Sequence, residues 1–198
     1  MIKITQDDVN EAIRLHGLYL KGKATGQRAD FAGKDLSGLN FKGVSLNNAD
    51  LSNADLSDAN LSNADLSYAT LWNANLNRAN LSNAKLIGAN LSLADLSGTD
   101  LSRADLSYVN LNNANLTCAN LSGADLSFAN LYCANLRCVD LRGANLRGTD
   151  LRRADLWNAN LCGADSGGAK LTGADLTDAK LNNVNLNKDK GSDKASND

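Results

Sequence analysis

Leucine returns at every fifth position of this chain, and that period constrains its folding more than any other feature. From Phe31 to Leu186 the centre of a five-residue unit recurs thirty-two times, and Leu fills it everywhere except at Phe31, Phe41 and Ser166. Ala lies two residues earlier in twenty-four units. Asp or Asn stands between the two in twenty-seven, the exceptions being Ser45, Thr70, Lys85, Lys170 and Lys180. Five residues advance an α-helix by about 500°, so the leucines would spiral round its surface instead of forming a stripe. On a straight strand side chains alternate with period two, which would send every second leucine into water. The chain must therefore turn once per unit. Ala and Leu then share the inner side of an extended triplet such as Ala54-Asp55-Leu56, with the polar residue between them facing out. Pairs rich in Ser, Asn and Gly, such as Ser62-Asn63, make the corners. A solenoid with a Leu/Ala interior and a polar skin follows.

The unit, seen as Ala49-Asp50-Leu51-Ser52-Asn53, resembles the repeat of the pentapeptide-repeat family, and the resemblance covers residues 29–188. It implies an all-β solenoid: a right-handed quadrilateral β-helix with four units per coil. That makes about eight coils, roughly 38 Å tall at the spacing of neighbouring strands. Three segments are expected: 1–28 with a capping α-helix, the β-helix over 29–188, and a disordered tail over 189–198, rich in Lys, Asp, Ser and Gly. Residues 6–21 read as the helix, with Thr5 as N-cap and Asp7 and Asp8 in the first turn. Val9, Ala12, Ile13, His16 and Leu20 share one of its faces, which is expected to cover a first coil made bulky by Phe31, Leu39, Phe41 and Val44. No apolar helix follows the last coil to cap it or to build a dimer there.

Composition works by exclusion. A net charge of −2 argues against direct nucleic-acid binding. No apolar run approaches the roughly 20 residues that span a bilayer, and no export signal opens the chain, so a cytoplasmic protein away from membranes is expected. His16 is the single histidine and reads as a packing residue, which removes Ser-His and Cys-His catalysis. Asp35, Asp55, Asp95, Asp155 and Asp175 align under four-unit coils, but such a ladder reads as a solvated face before it reads as a divalent-ion site. No phosphate-binding or dinucleotide motif occurs, so no cofactor and no metal are expected and the chain is read as no enzyme. Cys118 and Cys138 would stack one coil apart, within reach of a disulfide, yet reduced thiols are expected at all four cysteines, Cys133 and Cys162 included.

Three departures from the repeat carry the remaining information. Tyr68, Tyr108 and Phe128 recur at one corner position in steps of twenty, with Ile87 beside them and Trp72, Leu93 and Tyr132 on the adjoining side. Such bulky residues either form an exposed apolar patch of the kind that marks a partner surface or merely cover the corner backbone. Arg137, Arg142, Arg147 and Arg152, with Arg153 beside the last, form a basic belt that either pairs with neighbouring aspartates or receives a phosphate or an acidic partner. Ser166 puts a small polar residue where the core has leucine. The expected function is a non-enzymatic scaffold that binds another protein through its rigid faces. The alternative implied by the resemblance is a DNA-mimicking modulator of a type II topoisomerase such as gyrase.

Overall fold

A computed structural model describes residues 2–185. Every isolated backbone bridge within the repeat is parallel and joins residues twenty apart, from Asp30–Asp50 to Asp165–Asn185. Twenty residues are four units, so each unit lies against the unit four further along and the chain stacks in four columns. Three backbone bonds per unit hold the stack: Leu56 N–H donates to Asn75 O (2.7 Å), Asp58 N–H to Asn77 O (3.0 Å), and Asn75 N–H to Ala54 O (2.9 Å). A fourth bond, from Ala59 N–H to Leu56 O (3.1 Å), closes a turn of four residues over the corner. Nearly all backbone polar groups are thus paired, while the central leucines and the alanines two residues before them sit inside at 0–3% exposure as far as Ala164.

The corner explains the rest of the unit. Its second residue is left-handed in unit after unit, with φ of 57° at Asp58 and 65° at Gly98, which is why Asn and Gly dominate there. The Asp or Asn before each leucine does more than face water. Its Oδ1 accepts the N–H two residues on, as from Ser57 to Asp55 (3.0 Å), and a following serine adds its hydroxyl, as from Ser62 to Asn60 (2.8 Å). The outer carboxamide or carboxylate therefore braces the turn that brings the leucine home. Thr99 and Thr149 replace alanine in the core without an orphaned hydroxyl, since they donate to Leu76 O and Leu126 O at 2.8 Å.

The N-terminal end is closed by two elements. Strand β1, Ile2–Lys3, pairs in parallel with β2, Lys34–Asp35, and extends one column backwards. Helix α1, Gln6–Leu20, begins at Thr5 in a capping box: Asp8 N–H donates to Thr5 Oγ1 (3.2 Å) and Thr5 N–H to Asp8 Oδ2 (2.9 Å). The Gln6 carboxamide imitates a ladder strand by donating to Asn40 O (3.0 Å) and accepting from Asn40 N–H (2.9 Å). Val9 and His16 are buried and Ala12 and Ile13 pack against the core, but Leu20 is 40% exposed. The contact face of α1 ends at His16, because the returning chain crosses the helix at Leu18 and Tyr19. Gly26 makes that crossing so closely that a Cβ there would strike the Tyr19 backbone nitrogen.

At the other end the core opens. Leu171 and Leu176 are half-buried and Leu181 is exposed. An apolar cavity of about 160 Å³ lies among Leu146, Leu161, Leu171 and Leu181 beside Ser166, whose hydroxyl donates to Asn185 O at 2.9 Å. The tail expected over 189–198, and the last repeat leucine, Leu186, lie outside the described residues.

Candidate interaction face

One of the four columns differs from the others. It runs through Asp30, Asp50, Thr70, Asn90, Asn110, Asn130, Asp150 and Lys170. Around its middle, the stretches 66–73, 86–93, 106–113 and 126–133 contain no Asp, Glu, Lys, Arg or His. These four consecutive coils include both flanking corners, so the uncharged side is bordered by Tyr68, Tyr108 and Phe128 along one corner and by Trp72, Leu93 and Tyr132 along the other. Tyr68 and Tyr108 are each 63% exposed, Phe128 58%, Leu93 48% and Trp72 41%. Ile87 and Tyr132 are half-buried. Asn110 donates to Asn90 (3.3 Å) and Asn130 to Asn110 (3.4 Å), a run of amides linking coil to coil.

The rings are ordered by glycines. A Cβ on Gly88 would stand 2.8 Å from the Tyr68 ring, and one on Gly148 the same distance from Phe128, so each ring rests on the bare backbone of the next coil. Tyr108 stacks on Phe128 with centroids 5.2 Å apart and planes at 12°. Tyr68, Leu93, Tyr108 and Phe128 all hold left-handed φ, between 58° and 62°. A left-handed residue with a Cβ costs about 1–2 kcal/mol, least for Asn and Asp and nothing for Gly. Exposed aromatics at such positions return little of that cost as burial.

The basic belt pairs internally. Arg142 and Arg152 grip the aspartates of their own units, Asp140 and Asp150, at 2.6 Å, while Arg137 and Arg147 reach Asp155 (3.1 Å) and Asp165 (3.3 Å) on the next coil. Hydrogen bonds from the Arg142 and Arg152 side chains hold the Asp140 and Asp150 carboxyls below the usual range. Arg137 also lies over Trp157 at 4.4 Å, and Arg152 and Arg153 lie over Tyr132 at 5.6 and 6.0 Å. Arg153 alone of the five makes no ion pair among the described residues. The arginines thus close the C-terminal boundary of the uncharged side.

His16 accepts the Ala29 N–H at Nδ1 (3.0 Å), which puts its proton on the buried Nε2. Burial pushes the imidazole pKa down from 6.5. All four cysteines are free, and burial, with Cys138 beside it, raises the Cys118 thiol. Among the described residues no three His, Cys, Asp or Glu side chains gather as metal ligands, and no helix is long and apolar enough to cross a membrane.

The sequence pattern of pentapeptide repeats matches in eight copies over residues 27–63, 59–98, 94–131, 110–148 and 149–187. The chain belongs to the pentapeptide-repeat family. Among solved structures, it is 38% identical to a pentapeptide repeat protein of the Arabidopsis thaliana thylakoid lumen, over 50% of this chain and 69% of that one, with a TM-score of 0.49. HetL, a pentapeptide repeat protein involved in heterocyst differentiation regulation in the cyanobacterium Nostoc sp., is 32% identical over 89% of this chain and 96% of its own, with a TM-score of 0.35. QnrB1, a plasmid-mediated fluoroquinolone resistance protein, shares 22% identity over 83% of this chain and 86% of that one, with a TM-score of 0.56. That last likeness speaks for the fold. No match is found among curated protein sequences.

The sequence pattern alone pointed to the aromatics but missed the uncharged side that they border. The signal was present: reading the twenty-residue columns for missing charge, as well as for added rings, isolates it.

Proposed function

We propose that this pentapeptide-repeat protein is a non-enzymatic scaffold that binds another protein through its Thr70–Asn130 side. Each unit forms one side of a right-handed, four-sided section of about eight coils, and the rigidity of that stack keeps the corner aromatics in register. The observation that carries the reading is the set of Tyr68, Tyr108 and Phe128: exposed, left-handed and bordering a side without charge. Tyr and Phe on a surface from which charge is missing have the composition of an interface centre. Four free thiols agree with a reducing, cytoplasmic setting. The test is a lysate pull-down with wild type beside Y68N/Y108N/F128N, since Asn is at home in the left-handed corner. A partner held by wild type and lost from the variant is expected; identical recoveries would overturn the proposal.

A second reading, a type II topoisomerase modulator that imitates DNA, draws on Asp95, Asp100, Asp105 and Asp125, none of which forms an ion pair among the described residues. The likeness in fold to QnrB1 agrees with it. Gyrase supercoiling assayed at rising protein concentration decides the matter, and neither inhibition nor protection would remove this reading.

A further inference from the structure

Resting on the reading of the Thr70–Asn130 side as an interaction face, we propose that its occupant is a second copy of this chain. The two copies lie face to face with their coil axes antiparallel, about a two-fold axis between Asn90 and Asn110. Under such a rotation Asn90 meets Asn110 of the second copy, Thr70 meets Asn130 and Asp30 meets Lys170, while Asp50 meets Asp150, each of these two held by an arginine of its own copy, Arg28 (3.6 Å) and Arg152 (2.6 Å). The corners follow the same rule. Tyr68 comes opposite Phe128, Trp72 opposite Tyr132, and Tyr108 opposite Gly88, whose backbone carries the Tyr68 ring of its own copy. Each residue pair occurs twice, as a closed two-fold interface requires.

Charge selects this arrangement over the others. Arg28, Asp30 and Asp50 make the N-terminal end of the side net negative, while Arg147, Asp150, Arg152, Arg153 and Lys170 make the other end net positive. Antiparallel copies bring unlike ends together, and parallel copies bring like ends together. The remaining three sides have no run of four uncharged coils: one carries Asp65, Lys85, Asp105 and Asp125, the next Asp55, Asp95 and Asp155, the last Arg78, Asp100 and Arg103. Size sets the strength. At about 4.8 Å per coil the side is roughly 34 Å from Asp30 to Lys170, and about 13 Å separates its corners. The area covered over both copies is on the order of 1,000 Å², the lower limit of a specific interface. An interface at that limit makes a weak, reversible dimer whose population rises with concentration.

Sedimentation of wild type, N90D/N110D and N90K/N110K tests it. Both charged variants keep the coil intact, because the repeat already carries Asp105 and Lys85 at the equivalent place. Wild type is expected to shift from monomer to dimer with concentration, each variant alone to stay monomeric, and an equimolar mixture of the two variants to dimerise again, since Lys then faces Asp across the two-fold. A wild type that stays monomeric at about 1 mM, or charged variants that dimerise as wild type does, would overturn the inference. If wild type is monomeric but a lysate partner is still lost from Y68N/Y108N/F128N, the second copy is excluded and the interaction face stands. If neither association occurs, both fall.

Discussion

Replacing Ser166 with leucine should stabilise the C-terminal coils. The serine stands in a column of leucines and borders an apolar cavity of about 160 Å³, which is large enough for the added side chain. Leu exchanges one hydroxyl oxygen for three carbons, worth about 2.4 kcal/mol at roughly 0.8 kcal/mol per buried carbon group. The loss is the hydroxyl bond to Asn185 O, about 1 kcal/mol, and that carbonyl keeps the Ser166 N–H at 3.0 Å. The net gain is about 1–1.5 kcal/mol, or about 3–5 °C in Tm for a chain of this size. Ser166→Ala separates the two contributions: it removes the hydroxyl without filling the space and should lower Tm instead. Repeat arrays can unfold from one end, so amide hydrogen exchange should place the added protection in the last coils, around residues 146–185. A Tm for Ser166→Leu equal to or below wild type would refute the reasoning. So would added protection spread evenly along the coils.

Substituting Tyr68, Tyr108 and Phe128 together with asparagine should leave Tm unchanged or raise it, because each change relieves left-handed strain of about 1 kcal/mol; a clear fall would mean that the rings support the fold. Gly88→Ala should cost roughly 1–2 kcal/mol in urea unfolding, since the position has φ 62° and the Tyr68 ring fills the space of a Cβ. Thr99→Val should cost about 1 kcal/mol by the same measurement, as the Leu76 carbonyl loses the threonine hydroxyl but keeps the Ala79 N–H. His16 has a folded pKa below its ordinary 6.5, so the unfolded chain binds the extra proton and stability is lost as pH falls below about that value. Tm measured from neutral to mildly acidic pH should therefore decline, and His16→Leu should flatten that part of the profile.

The repeat was legible because burial in a solenoid is periodic: a leucine that must return to the same interior every five residues announces the turn between. The capping helix was legible at Thr5 and in the apolar spacing through His16 for the same local reasons. Strand β1 was not, since two residues, Ile2 and Lys3, hold no pattern and pair only because Lys34 and Asp35 offer an open edge. Gln6 gave no sign of completing a ladder at Asn40, thirty-four residues away. The arginine belt could be located from its spacing, but whether each guanidinium turned to its own aspartate or to that of the next coil depended on rotamers and on the rings of Tyr132 and Trp157. The sequence by itself determined the turn per unit, the Leu/Ala interior and the corner positions, because all three follow from local spacing. Only the tertiary structure decided which units lie side by side. That choice, made by backbone bonds across twenty residues, is what gathers Thr70, Asn90, Asn110 and Asn130 into one uncharged side between two rows of aromatics.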